Sequence, residues 1–138
     1  MKTRILLIVI SLLVLQIPAC LPTDDNVDPD DPVAKFLGVW KVNETCNRLN
    51  YNDTIVQDPG NNSQVLIYNF GNPGPGYDPA VGLVVSNSIH VSSQIIGEGW
   101  TVEGKGTYQP DGTITWNYTL VIPPYEYDCS ATLTKKNP

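Results

Sequence analysis

Few residues of this 138-residue chain have side chains suited to catalysis or metal binding. The one histidine, His90, alternates with the apolar residues Ile89 and Val91, so we expect it on the exposed face of a strand. No nucleophile motif such as G-x-S-x-G occurs. One histidine and three cysteines do not form a metal-ligand cluster. The sequence therefore predicts a protein that is not an enzyme and uses no metal or cofactor.

Glu44 is the one acidic residue that the sequence places in phase with an apolar strand face, that of Trp40 and Val42. It could hold the polar head of a ligand inside the protein, because burying an unpaired charge is costly. The alternative, which we favour at this point, places Glu44 at the rim of the fold, in water. The full set of candidate ligand-binding residues is Trp40, Glu44, Trp100, Trp116 and Tyr118.

The N-terminus has the form of an export signal. In residues 1–19, two cations precede an apolar run too short to span a bilayer comfortably, which takes about 20 residues. The sequence Ile17-Pro18-Ala19-Cys20 resembles the lipobox of bacterial lipoproteins. This resemblance implies a signal peptide over 1–19, lipidation of Cys20 and attachment to a membrane. The alternative is ordinary cleavage after Ala19 and a free secreted protein.

The cysteine count is consistent with a lipoprotein. An exported chain with three cysteines has one left over, and acylation of Cys20 would account for it. Cys46 and Cys129 can then form one disulfide in an oxidising compartment. Closing so long a loop stabilises a fold by about 4 kcal/mol in the chain-entropy model.

The chain is acidic, with a net charge of −6 that becomes −8 once Lys2 and Arg4 are removed with the signal peptide. Five aspartates lie in residues 20–34, which we interpret as an acidic, flexible tether because no closing Glu completes a calcium loop. An acidic domain argues against nucleic acid as a partner. The acids that follow Cys20 resemble the surface-export signals of Bacteroidetes lipoproteins, which implies an outer-membrane lipoprotein exposed at the cell surface.

Residues 35–138 form the folded domain and are predicted to be all-β. Turn residues recur about every ten positions, and no window has a sustained helical period. The predicted strands cover residues 37–46, 52–57, 63–70, 80–85, 88–96, 99–109, 113–122 and 127–135. The second is the weakest, since 50–58 could equally be a loop. We expect an antiparallel meander β-barrel of about eight strands.

The register of the hairpin near the C-terminus follows from matching apolar faces. A three-residue loop, Pro110-Asp111-Gly112, sets Tyr108 against Ile114 and leaves large rings opposite glycines: Gly106 faces Trp116 and Gly104 faces Tyr118. The same test pairs the first strand with the last and places Val42 beside Leu133, which closes a barrel.

A second hairpin is predicted around residues 86–88. A three-residue turn, Ser86-Asn87-Ser88, would bring Val85 against Ile89 and Leu83 against Val91. In the following strand, Ile95 would then share the inward face with Ile89 and Val91.

Several segments resemble known proteins. Phe36-Leu37-Gly38-Val39-Trp40-Lys41 resembles the G-x-W signature on the first strand of lipocalins and fatty-acid-binding proteins, the calycin barrels. The chain as a whole is similar to small lipocalin-like lipoproteins of Bacteroidetes, in Cys20, FLGVWKVNETC, VLIYNF, SQII, GKGTYQPDGTITWNY and DCSATLTK. The likeness implies an eight-stranded meander barrel and little about activity. Asp53-Thr54-Ile55 also resembles a short O-glycosylation signal of exported Bacteroidetes proteins.

Two functions fit this sequence. About 100 residues for eight strands make a barrel just wide enough for side chains or one small ligand. The first function is a lipid-anchored binding module for a small apolar or amphiphilic ligand, or for a glycan on exposed aromatic rings. It predicts a cavity near Glu44 and the Gly/Pro-rich loop 69–79. The second is a structural lipoprotein with a filled barrel that docks onto an envelope protein complex, and it predicts an exposed apolar patch.

Overall fold

The computed structural model describes residues 31–46 and 50–137, which form a closed barrel of eight antiparallel strands. The predicted signal peptide, Cys20 and most of the predicted tether lie outside the described residues. The strands are β1 Gly38–Glu44, β2 Asn50–Asp58, β3 Asn61–Tyr68, β4 Ala80–Val85, β5 Ser88–Ile96, β6 Trp100–Tyr108, β7 Ile114–Ile122 and β8 Tyr125–Lys135. In this part of the chain no helix is long and apolar enough to cross a membrane.

The predicted barrel and its closure are confirmed. Each strand pairs with the next, and β1 also pairs with β8, with Val42 beside Leu133. A strand with one buried and one solvated face alternates apolar and polar residues, and β7 does so from Ile114 to Leu120. Alternation of this kind leaves one register in which both apolar faces point inward.

The β6–β7 hairpin has the predicted register. Tyr108 pairs with Ile114, Gly106 with Trp116, and Gly104 with Tyr118. The turn closes where the Gln109 backbone N–H donates to the Thr113 carbonyl oxygen (2.8 Å) and the Gly112 N–H donates to that of Gln109 (3.0 Å). Gly112 takes a φ of 83°, which glycine adopts without a steric penalty.

A large ring lies over bare backbone inside this hairpin. A Cβ atom added to Gly106 would lie 2.5 Å from Cε2 of Trp116. The missing side chain is therefore what allows the indole to pack flat against β6. Such pairs of a small and a large residue let side chains fill the interior of a narrow barrel.

The barrel interior is filled by side chains. At one end, the 3₁₀ turn Ala34–Phe36 covers the opening, and the Trp40 indole Nε1–H donates to the Phe36 carbonyl oxygen (2.7 Å). Val33 is fully buried there, so the packed domain begins before residue 35. The buried apolar residues are Val33, Phe36, Trp40, Val42, Ile55, Val65, Ile67, Phe70, Ala80, Val84, Ile89, Val91, Ile96, Val102, Ile114, Trp116, Tyr118, Leu120, Cys129, Ala131 and Leu133.

The predicted β4–β5 turn is wrong by one residue. The loop is Ser86-Asn87, with Ser86 at a φ of 53°, and Val85 pairs with Ser88 while Leu83 pairs with His90. The inward residues of β4 are therefore Ala80, Gly82 and Val84, and Leu83 and Val85 are exposed. Because β4 is apolar on both faces, alternation cannot distinguish the inner face from the outer one.

The predicted phase of β5 is wrong in its second half. The register with β6 shifts between Val91 and Gln94, where Ser92 and Ser93 form a bulge. The shift places Ile96 in the core and leaves Ile95 71% exposed. His90 precedes the bulge and is exposed, as predicted.

Candidate functional site

Two carboxylates are buried inside the barrel. Glu44 ends β1 and Asp53 lies on β2, and each is only 1% exposed. The Tyr118 hydroxyl donates a hydrogen bond to Glu44 Oε1 at 2.7 Å. Glu44 Oε2 and Asp53 Oδ1 have no hydrogen-bond partner among the described residues. We call Glu44 and Asp53 the acid pair.

The electrostatics of the acid pair favour the protonated form of Asp53. Burial raises the pKa of Asp53 well above its usual range, and the negative charge of Glu44 raises it further. Burial also raises the pKa values of Tyr51 and Tyr118, as do the nearby carboxylates. A hydrogen bond from Tyr51 to Tyr118 raises the pKa of Tyr51 and lowers that of Tyr118. Tyr51, Tyr118 and Glu44 therefore form a chain of donors that ends on a carboxylate.

The expectations that Glu44 lies at the rim, in water, and that it is the one inward acid are both wrong, because Glu44 and Asp53 are both buried. Glu44 is buried because β8 pairs with β1 as far as Glu44, opposite Ala131. Asp53 was missed because residues 50–58 could have been a loop. The sequence feature that could have placed Asp53 is the alternation of Tyr51, Asp53 and Ile55 with polar residues. In a strand, this alternation puts all three side chains on the inner face.

Four of the five predicted ligand-binding residues point into the barrel. Trp40, Glu44, Trp116 and Tyr118 are buried, while Trp100 is half-buried at the start of β6. Trp40 is the β1 neighbour of Asp53, since the two residues pair directly. The Trp116 indole Nε1–H is buried without a hydrogen-bond partner in the described part of the chain. The structure therefore brings Glu44 and Tyr118 into contact and leaves Trp100 at the edge.

The Gly/Pro-rich loop 69–79 inserts a ring into the barrel. Phe70 is 3% exposed, and its ring centroid lies 4.8 Å from that of Trp116 and 5.0 Å from that of Tyr118. Gly71 follows with a φ of 74°, and a Cβ atom added to it would lie 3.5 Å from Leu120 Cδ1 and 3.7 Å from Ile96 Cδ1. This loop closes the end of the barrel opposite the 3₁₀ turn.

The predicted disulfide joins Cys46 and Cys129, whose Cα atoms are 5.1 Å apart. It lies against Glu44, because a Glu44 oxygen and both sulfur atoms lie within 4.8 Å of one another. Disulfide-bonded sulfur is not a thiolate, and the thiolate is the form of cysteine that binds metal ions. These three residues therefore form a covalent and electrostatic cluster and no zinc site.

A pocket of about 420 Å³ lies outside the barrel, between the β2–β3 wall and the loop 69–79. We call it the loop pocket. Its lining consists of Asn52, Thr54, Tyr68, Asn69, Asn72, Gly74, Pro75, Gly76 and Tyr77. The two tyrosine rings are partly exposed, at 41% for Tyr68 and 37% for Tyr77.

Hydrogen bonds hold the loop pocket in shape. Asn69 Nδ2 donates to the Asn52 carbonyl oxygen, and the Gly74 N–H donates to Asn69 Oδ1, each at 3.0 Å. Tyr77 hydrogen-bonds to Glu98 on the β5–β6 turn, which raises the pKa of Tyr77. The site is therefore preformed, which lowers the entropic cost of binding a ligand.

The outer wall carries two further surfaces. A shallower groove of about 600 Å³ crosses β5 to β8, and its outward lining has hydroxyl, amide and carboxylate groups but no exposed aromatic ring. An apolar row runs across three strands, because Val56 pairs with Leu66 and Leu66 with Val81. Leu83 and Val85 extend this row along β4.

Comparisons with protein-family models, with curated proteins and with solved structures find no match to this chain. The fold and the site together define a closed eight-stranded antiparallel barrel with a buried acid pair inside and a preformed pocket on its outer wall.

Proposed function

We propose that this protein is a lipid-anchored binding module of the bacterial cell envelope that binds a glycan in the loop pocket. The anchor is supported by Ile17-Pro18-Ala19-Cys20 and by the acidic segment that follows it. The mass of the mature protein from native membranes tests the anchor, which requires a diacylglyceryl group on Cys20.

The observation that carries the binding proposal is the combination of tyrosine rings and asparagine amides in one preformed pocket. A sugar ring has an apolar C–H face, which suits an aromatic ring, and hydroxyls that both donate and accept hydrogen bonds. Tyrosine supplies rigid contact area with few rotatable bonds, and asparagine supplies both a donor and an acceptor. The side chain of Asn52 makes no hydrogen bond within the described residues, so its amide is available to a ligand.

The interior is less suited to a large apolar ligand. Side chains from all eight strands fill it, and Phe70 closes the end near Glu44. A fatty acid would have to displace several of these side chains together. A glycan in the loop pocket requires no such rearrangement.

We expect Tyr77→Ala and Tyr68→Ala each to weaken glycan binding by about tenfold or more, since each removes roughly 1.4 kcal/mol or more of ring contact. A glycan array should select the ligand, and saturation-transfer NMR with calorimetry should measure its affinity. Tyr125→Ala is the matched control, because Tyr125 is an exposed tyrosine outside the pocket lining. Equal affinity in all three variants would contradict the proposal.

Docking onto an envelope protein is the second candidate function. The filled interior supports it, as does the apolar row in which Val56, Val81 and Leu83 are exposed and Leu66 is half-buried. Photo-cross-linking from Leu83 in the native envelope tests this candidate, since a docking surface must yield one specific adduct.

A further inference from the structure

We propose that Glu44, Cys46 and Cys129 form a redox-controlled metal site, which binds a zinc-like divalent cation once the disulfide is reduced. The site is independent of the loop pocket, which lies on the outer wall of the barrel. Two observations carry the inference: the donor atoms of the three residues converge, and a hydrogen bond holds the buried Glu44 carboxylate in place.

The pairing of β1 with β8 brings the three side chains together. The register runs as far as Glu44, opposite Ala131, and the disulfide joins the two cysteines just beyond that pair. A Glu44 carboxylate oxygen and the two sulfur atoms lie within 4.8 Å of one another. Ligands of one zinc ion lie about 3 to 4 Å apart, since each sits about 2.0 to 2.3 Å from the metal. Small side-chain rotations therefore bring all three donors onto one ion.

Glu44 has the features of a metal-binding carboxylate. It is 1% exposed, and the Tyr118 hydroxyl donates to its Oε1 at 2.7 Å. A carboxylate that binds a metal ion is commonly oriented by such a hydrogen bond from a second residue. Glu44 Oε2 makes no hydrogen bond to the described residues, so one oxygen is left for the ion.

Reduction converts the disulfide into two ligands. A dithiol reductant gives up two electrons and two protons, becomes a disulfide itself, and leaves thiols on Cys46 and Cys129. The metal ion then displaces both thiol protons, which pass to solvent, and binds two thiolates and one carboxylate. Thiolate ligands favour zinc over calcium and magnesium, which bind oxygen. Water can take the fourth position of a tetrahedral zinc ion.

The disulfide is within reach of small molecules from outside the barrel. Cys129 and Tyr118 line the groove of about 600 Å³ that crosses β5 to β8, and Cys46 is half-buried just after β1. A bound ion would join β1 to β8 as the disulfide does. The site would therefore keep the barrel closed in a reducing environment.

The test uses the full chain in detergent with Cys20→Ser, so that Cys46 and Cys129 are the two remaining cysteines. A phosphine reductant cleaves the disulfide, taking an oxygen atom from water, and adds no thiol that competes for the metal. We expect the reduced protein to bind one zinc ion in competition with a chromophoric chelator, and its melting temperature to rise as zinc is added. Cobalt in place of zinc should give the charge-transfer absorption of thiolate ligands. The oxidised protein should show none of these effects.

Variants distinguish this site from a pair of free thiols. Glu44→Gln should weaken zinc binding by about a hundredfold or more, because it removes a ligand. Tyr118→Phe should weaken it by about tenfold to a hundredfold, the usual effect of losing a group that orients a ligand. Glu126→Gln, on the exposed part of β8, should leave the affinity unchanged.

Three results would overturn the proposal. The first is a reduced protein that binds no zinc, and this includes a reduced chain that unfolds and that zinc does not refold. The second is equal zinc affinity in the Glu44 variant. The third is equal binding by the oxidised protein or by Cys46→Ser/Cys129→Ser, which would locate the zinc elsewhere on the chain.

Discussion

Asp53→Asn should stabilise the barrel at neutral pH and flatten the dependence of its stability on pH. In the wild type the pKa of Asp53 is raised on folding, mainly by burial and further by the charge of Glu44. The folded state therefore holds a proton that the unfolded chain releases above about pH 4. The free energy of unfolding should fall as pH rises, by about 1.4 kcal/mol per unit, until the folded pKa is reached.

The asparagine amide reproduces the protonated aspartate. The amide is neutral at every pH of the series, so no second negative charge enters the interior beside that of Glu44. Urea unfolding between pH 4 and pH 8, in phosphate and acetate buffers, measures the effect. The Glu126→Gln variant is the control, because that carboxylate is exposed.

The double variant Glu44→Gln/Asp53→Asn tests whether the two carboxylates act as one unit. Groups that interact electrostatically do not contribute additively to stability. We expect the double variant to gain less than the sum of the single variants, because either substitution alone removes the repulsion. A wild-type stability that rises with pH over this range would contradict the whole account.

The strands were predictable wherever one face is apolar and the other polar. In β7 the alternation is unbroken from Ile114 to Leu120, and the glycines of β6 leave one register that fits Trp116 and Tyr118. β4 has apolar residues on both faces, so alternation does not show which face is the inner one. The inner face is the one that packs against Ile89 of β5, and Gly82 lies on it. The bulge at Ser92 and Ser93 cannot be predicted from the local sequence, because serine is common in both strands and loops.

The candidate site was only half predictable for a related reason. Glu44 could be placed on the inner face by its phase with Trp40, but its depth depends on how far β8 extends beside β1. Placing Asp53 inside the barrel required the prediction that residues 50–58 form a strand. That prediction was difficult because the outer face of β2 is polar and its inner face includes an acid. The insertion of Phe70 depends on the path of a loop with four glycines or prolines in succession, which local sequence does not determine.

Removing the disulfide with Cys46→Ser/Cys129→Ser should lower the free energy of unfolding by about 4 kcal/mol. The two cysteines are 83 residues apart, so the bond closes a loop that contains most of the barrel and restricts the unfolded chain strongly. A loss of this size in a domain of about 100 residues lowers the melting temperature by about 20 °C. Thermal and urea unfolding of both proteins, with and without reductant, measure it.

The native state should be weakened locally as well. Cys46 follows β1 and Cys129 lies within β8, so the bond reinforces the pair of strands that closes the barrel. Without the disulfide, β1 and β8 are held together near Cys46 by hydrogen bonds alone. One of these runs from the Thr45 N–H to the Ser130 carbonyl oxygen, at 2.9 Å. Hydrogen exchange should accelerate first in β1 and β8.

Thr45→Ala is the matched control for the pairing of β1 with β8, because it removes side-chain hydrogen bonds to Ser130 and keeps the disulfide. Its cost should be about 1 kcal/mol, the usual net worth of a hydrogen bond. Reductant should destabilise the wild type and the Thr45 variant and leave the double-serine variant unchanged. If reductant has no effect on any of the three, the bond does not form in solution. The stability of the β1–β8 pair must then come from strand pairing and from the hydrogen bond that the Tyr118 hydroxyl donates to Glu44.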